Sequence, residues 1–285
     1  MKLMTYRVQG RESFGVLDGA RVVDGRALLG DQVTTIRELL VQGLTKELAR
    51  RQAHAELSYA LSEVEFLPPI PDPAKILCVG VNYQDHRDET GTDSKPEYPT
   101  IFTRFADTQV GHEQPVQHPA NTNQLDYEGE VALVIGSRVD SRSSSEQLKA
   151  AIAGLSCYND VSARDWQLHN SQWVPGKNFF GVGSFGPWLV TLDEIKNLDD
   201  VRLTTRVNGE LRQDATLGDL IFGFEEILSY ITGFTPLSPG DVIATGTPGG
   251  VGLVADPPQF LQPGDITEVE VSGVGVLRNT ISPTG

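Results

Sequence analysis

The chain has 285 residues, of which 39% are hydrophobic and 21% are charged, as expected of a globular protein with its own core. The formal net charge of -15 disfavours binding to nucleic acids and to anionic membranes, because both need a basic surface. No apolar stretch approaches the ~20 residues that span a bilayer, and the N-terminus lacks the apolar block of a signal peptide. We therefore expect a cytoplasmic protein that binds neither nucleic acid nor membrane.

Residues 1–70 are predicted to form a small N-terminal α/β domain. Short alternating strands separated by glycine are indicated by MTYRVQGRESFGVLDGARVVDG, and one helix by LTKELARRQAHAEL. The proline-rich stretch FLPPIPDP then precedes the strand-like AKILCVGVNY, as at a boundary between domains. Residues 71–285 are predicted to form the second, larger domain.

From Lys75 onward the sequence predicts a succession of strands. Each is an apolar run between glycines and prolines, and the candidates are residues 100–105, 130–136, 155–161, 187–191, 202–209, 241–247 and 266–281. Helical patterns cover residues 144–153 and 217–231. Two Pro-Gly-Asp steps predict turns that enter strands, because proline fixes φ and glycine accepts the positive φ that follows. The predicted fold class is therefore a mixed, β-rich α+β fold with few helices.

An acidic face precedes an apolar run in QLDYEGEVALVIG, residues 124–136. If this stretch is one strand, alternate side chains share a face, so Asp126, Glu128 and Glu130 point the same way. Carboxylates placed side by side at the mouth of a buried strand repel each other and are costly to desolvate. A divalent cation would resolve that repulsion. The alternative is a solvated strand edge whose acids are exposed and charge-paired.

A third carboxylate, Asp160, ends another apolar run in GLSCYNDV. It is well placed to complete a metal site with Glu128 and Glu130, so that two separate strands would supply the ligands. Because this donor set contains carboxylates and no soft ligand, the ion should be hard, that is Mg²⁺, Mn²⁺ or Ca²⁺ rather than Zn²⁺.

The segment NYQDHRDETG places His86 and Glu89 three residues apart, so the two side chains face each other if the segment forms a helical turn. A carboxylate hydrogen-bonded to an imidazole raises its basicity and fixes its tautomer, as a general base acting on water requires. The alternative is a surface turn with an incidental contact between an acid and a histidine.

Further candidates for substrate binding follow along the chain. Lys177, in GKNFF, could pair with a substrate carboxylate or polarise an oxygen, or it could be a surface lysine. Thr247, in the glycine-rich ATGTPGGVG, could offer its hydroxyl to an anion, or the segment could be a plain loop. Arg104, Arg164 and Gln167 could supply further substrate contacts, although each alone is as readily structural.

Together these segments resemble the fumarylacetoacetate hydrolase family. The resemblance runs from about Lys75 to Ile281, and its motifs stand in the family's order: VGVNYQDHRDETG, LDYEGEVALVIG, YNDVSARDWQ, QWVPGKNFF, FGPWLVT, LIFGFEEILSYIT and LSPGDVIATGTPGGVG. Several motifs in register are more specific than any one of them. Residues 1–70 are similar to the small N-terminal domain of many bacterial members.

The resemblance implies a β-roll or β-sandwich of the fumarylacetoacetate hydrolase type, a homodimer, and Mg²⁺ or Mn²⁺ held by carboxylates. The family's metal ligands match Glu128, Glu130 and Asp160, its catalytic pair on a mobile lid matches His86 and Glu89, and its Gly-Lys and Gly-Thr steps match Lys177 and Thr247. The sequence departs from the family's motifs at two places, and both flank the substrate region. Arg104 stands where many members have lysine, and GKNFFGVGSFGP stands where many have Phe-Asp after the Gly-Lys step, so specificity is less determined than metal binding.

From this resemblance we expect a hydrolase that cleaves a C–C bond of a 2,4-dioxo acid, such as an acylpyruvate, fumarylpyruvate or maleylpyruvate, to pyruvate and a carboxylic acid. His86, oriented by Glu89, would activate water, and the metal together with Lys177 would stabilise the pyruvate enolate. The alternatives are a lyase that decarboxylates oxaloacetate or a related 2-oxo acid, an isomerase or hydratase of 2-oxo enoic acids, and a catalytically silent metal- or ligand-binding module.

Overall fold

The computed structural model describes residues 1–89 and 96–283, and short strands dominate it. The strands are β1 (Lys2–Val8), β2 (Arg11–Asp18), β3 (Arg21–Asp24), β4 (Ser58–Ala60), β5 (Glu65–Leu67), β6 (Ile76–Gly80), β7 (Thr100–Arg104), β8 (Gln109–Val110), β9 (Val116–His118), β10 (Leu125–Asp126), β11 (Gly129–Ile135), β12 (Ile152–Asn159), β13 (Ser162–Ala163), β14 (Gly183–Thr191), β15 (Arg202–Val207), β16 (Glu210–Thr216), β17 (Val242–Ala244), β18 (Ile266–Val271) and β19 (Gly275–Pro283). The helices are α1 (Gly25–Leu29), α2 (Ile36–Val41), α3 (Thr45–Gln52), α4 (Gln84–Glu89), α5 (Ser145–Ala150), α6 (Arg164–Gln167), α7 (Val174–Lys177) and α8 (Phe224–Phe234). Over the described ranges, no helix is long and apolar enough to cross a membrane. The predicted β-rich α+β class is confirmed.

Most strands belong to one mixed sheet in the order β4-β3-β2-β1-β14-β12-β11-β17-β6-β7. Within it, β11 pairs antiparallel with β12 and β17, and β17 pairs parallel with β6. A second sheet, β16-β15-β18-β19-β9, packs against β11, β12 and β14. The two sheets form the sandwich that carries the candidate site.

Strand β11 is buried along its whole length, and its alternate side chains enter two different cores. Val131, Leu133 and Ile135 pack in the core shared with the second sheet. Ala132 and Val134 pack on the other face, in the core shared with α1, α2 and α3. A strand covered on both faces has an almost continuous apolar sequence, which explains the run VALVI.

The N-terminal strands continue the main sheet. β1 pairs antiparallel with β14 through Lys2↔Val190 and Leu3↔Leu189, and Leu3 lies in the same buried core as Ala132. The division into domains near residue 70 stays a prediction, because these contacts describe packing and not independent folding.

Most predicted strands are found within a few residues of their predicted bounds. Each Pro-Gly-Asp step leads into a strand, β17 or β18, with Gly240 and Gly264 at φ of 86° and 98°. The helix predicted over 217–231 begins only at Phe224, because Leu217–Asp219 forms a separate 3-10 turn. The strand predicted over 124–136 is interrupted between β10 and β11. There the backbone N–H of Glu128 donates to Asn159 Oδ1 at 3.0 Å in place of a ladder partner.

Candidate active site

The predicted metal ligands meet where β11 and β12 run side by side. The register pairs Gly129 with Asn159, and the backbone N–H of Asp160 donates to the carbonyl of Glu128 at 2.8 Å. Carboxylate oxygens of Glu128, Glu130 and Asp160 all lie within 4.8 Å of one another. The three residues are at most 5% exposed, which excludes a solvated strand edge.

Three buried cations surround this acidic cluster. Lys177 Nζ donates to Glu128 Oε2 and to Asp160 Oδ2, each at 2.7 Å. The Arg164 guanidinium bonds Glu128 and also Asp126, the latter at 2.8 Å through Nε. Arg104 bonds the remaining oxygen of Asp160. These cations compensate Asp126, Glu128 and Asp160.

Glu130 is the carboxylate without a cationic partner in the described part of the chain. Its Oε2 accepts a hydrogen bond from the backbone N–H of Gly246 at 2.8 Å. Burial, followed by the nearby charges of Asp160 and Glu128, raises the pKa of Glu130 well above its usual range. For Glu128, burial works in the same direction, but the positive charges of Lys177 and Arg164 outweigh it and the pKa lies below its usual range.

The cluster fits a hard divalent cation. It offers oxygen donors alone, they are buried and close together, and one of them lacks a compensating positive charge. Glu128, Glu130 and Asp160 are the residues that would hold such an ion. The donor chemistry does not distinguish Mg²⁺ from Mn²⁺ or Ca²⁺.

His86 and Glu89 form the predicted pair on helix α4. His86 Nδ1 lies 2.7 Å from Glu89 Oε1, and the second carboxylate oxygen of Glu89 accepts from the backbone N–H of Gly250 at 2.9 Å. His86 is 7% exposed, so the pair is not an incidental surface contact. Because Glu89 is anchored to the loop at Gly250, it can fix the orientation of the imidazole ring.

The residues just before α4 are held in an unusual conformation. Val81 has φ of 56°, a left-handed value that is rare for a β-branched side chain. The buried Asn82 amide donates to the carbonyls of Phe222 and Thr245 at 3.1 Å and 2.8 Å, and its oxygen accepts from the Phe222 N–H at 2.8 Å. These bonds tie the start of the His86 helix to the loop that contains Thr247.

A cleft of about 250 Å³ brings the histidine and the acidic cluster together. Its polar lining consists of His86, Glu128, Glu130, Arg164, Gln167, Lys177 and Thr247, and its apolar lining includes Phe102, Trp173, Leu168, Val251 and Leu253. Besides the metal ligands, five predicted site residues line this cleft: His86, Lys177, Arg164, Gln167 and Thr247. Glu89 acts here through its contact with His86. Among the described residues, Arg104 does not line the cleft.

Two polar groups of the cleft are oriented by their neighbours. Gln167 Oε1 accepts from Arg164 Nη1 at 3.0 Å, which leaves its amide NH₂ end available as a donor. Thr247 Oγ1 donates to the carbonyl of Gly129 at 2.9 Å and accepts from Gln213 Nε2 at 2.8 Å. Gln213 is not predictable from the sequence, since a lone glutamine in a strand carries no pattern.

Comparison with known proteins places the chain in a family. The family described as "Fumarylacetoacetate (FAA) hydrolase C-terminal" matches residues 75–282. The mitochondrial oxaloacetate tautomerase FAHD2B of Bos taurus is 38% identical over 268 residues, covering 93% of this chain and 85% of the relative. The oxaloacetate tautomerase YisK of Bacillus subtilis is 42% identical over 226 residues, covering 78% of this chain and 75% of the relative. A fumarylacetoacetate hydrolase structure from Exiguobacterium antarcticum matches with a TM-score of 0.87 and 34% identity over 100% of both chains.

The two-sheet fold and the buried acidic cluster beside an oriented histidine define a strand-rich enzyme with a candidate carboxylate metal centre. The chain belongs to the fumarylacetoacetate hydrolase family, and the resemblance seen in the sequence is confirmed.

Proposed function

We propose that this protein is a divalent-metal-dependent enzyme that forms the enolate of a 2-oxo acid, and that its main reaction is keto–enol tautomerisation of oxaloacetate. The observation that carries the proposal is that His86, which Glu89 orients, lines one small cleft together with Glu128 and Glu130 of the acidic cluster. Two relatives at 38% and 42% identity are named oxaloacetate tautomerases, which favours this substrate. From the sequence, oxaloacetate is expected as a substrate for decarboxylation, and isomerisation is expected of 2-oxo enoic acids.

In this mechanism the cationic side of the cleft binds the substrate carboxylates. The donors that we assign to this role are Arg164 and the amide NH₂ group of Gln167. Arg164 Nη2 is buried without a hydrogen-bond partner in the described chain, so it can bond a substrate oxygen. Asp160 and Glu128 outweigh the effect of burial and raise the pKa of Lys177, so it stays charged and stabilises negative charge on the substrate.

His86, oriented by Glu89, takes a proton from C3 of the keto form. The electrons of that C–H bond move toward O2, which takes a proton from solvent to give the enol, and His86 returns its proton to solvent. A divalent ion held by the carboxylates would polarise the 2-oxo group and lower the barrier to proton removal. Lys177 and Arg164 hold the substrate while the proton moves.

Hydrolysis of an acylpyruvate is the second candidate. The apolar side of the cleft, with Phe102, Trp173 and Leu253, suits an apolar acyl group better than a second carboxylate. In that reaction His86 would take a proton from water, the water oxygen would bond to C4, and the C3–C4 bond would break toward pyruvate enolate. Decarboxylation of oxaloacetate would form the same enolate without an attacking water.

A substrate panel tests the proposal. Oxaloacetate tautomerisation is followed by loss of enol absorbance, oxaloacetate decarboxylation by CO₂ release, and cleavage of acylpyruvates, fumarylpyruvate and maleylpyruvate by pyruvate release, each with Mn²⁺ or with excess EDTA. We expect tautomerisation to be fastest, to need the metal, and to be lost in His86→Ala but not in the control His54→Ala, whose side chain is exposed.

Each other result has a definite meaning. Faster pyruvate release than tautomerisation would favour the hydrolase. Full activity of His86→Ala would contradict the assignment of the base. If the protein binds Mn²⁺ but turns over no substrate of the panel, it is a metal-binding module and not an enzyme for these substrates.

A further inference from the structure

Arg104 ends strand β7, and its guanidinium reaches the acidic cluster from outside the cleft. The side chain is fully buried. Its Nη1 donates to Asp160 Oδ1 and, at 3.0 Å, to the backbone carbonyl of Val161. Its Nε lies 3.5 Å from the hydroxyl oxygen of Thr108. The planar guanidinium is thus held against the residue that ends β12.

Gly183 leaves the space that this guanidinium occupies. A β-carbon at position 183 would lie 2.7 Å from Arg104 Nη2 and 2.8 Å from the terminal amide atoms of Gln109. Gln109 Nε2 donates in turn to the Thr108 hydroxyl at 2.6 Å. Any side chain at position 183 would therefore force the guanidinium or the Gln109 amide to move.

The two oxygens of Asp160 have different partners as a result. Oδ1 accepts from Arg104, and Oδ2 accepts from Lys177, which also bonds Glu128 on the cleft side. Oδ2 thus bonds a lysine that lines the cleft, whereas Oδ1 bonds a guanidinium outside it.

We propose that Arg104 is a positioning residue for the candidate metal centre: it holds the Asp160 carboxylate by Oδ1 so that Oδ2 faces Glu128 and Glu130. The inference rests on the proposed metal centre, and it replaces the direct substrate contact expected from the sequence. Partners that orient a metal ligand in this way typically contribute ~10–100-fold to metal affinity. The guanidinium acts through its shape as well as its charge, because Nη1 bonds Asp160 and the Val161 carbonyl while a second nitrogen, Nε, lies against the Thr108 hydroxyl.

The test measures Mn²⁺ affinity without substrate, by titration calorimetry or by the EPR signal of free Mn²⁺. Arg104→Lys keeps the charge but loses the planar fork, so a loss of affinity reports orientation and not electrostatics. Gly183→Ala crowds the guanidinium at Nη2 and leaves Arg104 itself unchanged. It should fold, because the three atoms nearest to the added methyl group all lie at the ends of side chains. The controls are Arg142→Lys, whose side chain is 87% exposed, and Gly233→Ala, which meets nothing within 4 Å.

We expect Arg104→Lys and Gly183→Ala each to weaken Mn²⁺ binding by ~10–100-fold, with both controls unchanged and with the melting temperature in EDTA retained. Unchanged Mn²⁺ affinity together with a raised KM for the 2-oxo acid in Arg104→Lys would overturn the inference in favour of a substrate contact. Unchanged Mn²⁺ affinity together with an unchanged KM for the 2-oxo acid would show that Arg104 has a structural role and does not position the metal ligand. If the wild-type protein binds no Mn²⁺, the proposed metal centre is wrong and this inference is wrong with it.

Discussion

The carboxylates of the acidic cluster are not equivalent at the scale of single residues. Glu128 and Asp160 each bond a buried lysine and a buried arginine, whereas Glu130 accepts from a backbone N–H. Replacing Glu130 by a neutral residue therefore deprives no buried cation of its partner, whereas neutralising Asp160 leaves both Lys177 and Arg104 without one of their carboxylate partners.

Glu130→Gln should separate metal binding from stability. We expect Mn²⁺ affinity to fall by more than the ~10–100-fold that the loss of an outer partner costs, while the metal-free protein remains as stable as the wild type or becomes more stable. Asp160→Asn should also lose the metal but should destabilise the metal-free protein by about 3 kcal/mol. Calorimetry and urea unfolding in EDTA check both, and equal destabilisation by the two substitutions would contradict this difference.

Metal binding should depend on pH through Glu130. Since burial and the charges of Asp160 and Glu128 raise its pKa, the metal-free carboxyl keeps its proton at pH values where an ordinary glutamate is ionised. The metal displaces that proton, so the apparent affinity should fall ~10-fold for each pH unit below the raised pKa. Calorimetry in buffers of different ionisation enthalpy counts the protons released. An affinity that does not change with pH would show that Glu130 is ionised without the metal.

The sequence predicted the acidic residues better than their partners. An acid-x-acid spacing on a strand and an acid at the end of a second strand are visible as patterns, and Glu128, Glu130 and Asp160 do come together. Asp126 shares the same sequence face but bonds Arg164 and the backbone N–H groups of Gly252 and Leu253. That difference depends on the break after β10 and on a distant loop, and neither has a local sequence signal.

At the scale of elements, Asn82 joins the strand β6 to the helix α4 that carries His86. Its side chain makes three hydrogen bonds to distant backbone groups and holds Val81 at a left-handed φ. Asn82→Ala should cost about 3 kcal/mol of stability, since each buried bond contributes ~1 kcal/mol.

Asn82→Ala should also lower kcat by up to ~100-fold, because a displacement of His86 by an ångström is costly. Urea unfolding and turnover of the 2-oxo acid substrate check the two effects. The control is Asn197→Ala, whose side chain bonds Asp200 at the surface. Wild-type turnover in a folded Asn82→Ala protein would show that Asn82 does not position the histidine.

Local patterns predicted the strands because each is an apolar run with clear ends. The helix expected over 217–231 was extended too far, because Leu217, Leu220 and Ile221 continue the apolar spacing of α8. In the structure these residues instead connect β16 to α8, and Ile221 donates its N–H to the carbonyl of Asn82 at 2.8 Å. A tertiary contact decides where this helix begins.

At the scale of the whole molecule, the N-terminal strands and the family region share one sheet and one core. We expect them to unfold together, because separating β1 from β14 would expose Leu3, Leu189 and an open strand edge. Hydrogen exchange followed by mass spectrometry in rising urea checks this. The slowest amides of β1 and β2 should lose protection at the same urea concentration as those of β11 and β12. Earlier loss in β1 and β2 would favour the separate N-terminal domain predicted from the sequence.

The sequence could not indicate this continuity. The pairing of β1 with β14 joins residues that are almost two hundred positions apart, and a proline-rich stretch between two units looks the same whether or not their sheets merge. Dimer formation, the cytoplasmic location and the absence of nucleic-acid or membrane partners likewise stay predictions.

The most direct measurement is anomalous diffraction from a crystal grown with Mn²⁺ and soaked with oxalate, a stable mimic of the 2-oxo acid end. One Mn²⁺ peak should lie at about 2.0–2.3 Å from carboxylate oxygens of Glu128, Glu130 and Asp160, with oxalate on its cleft side within reach of Lys177 and Arg164. The proposed metal centre would be contradicted if these carboxylates showed no anomalous peak at a Mn²⁺ concentration that supports turnover, and if Lys177 remained between Glu128 and Asp160.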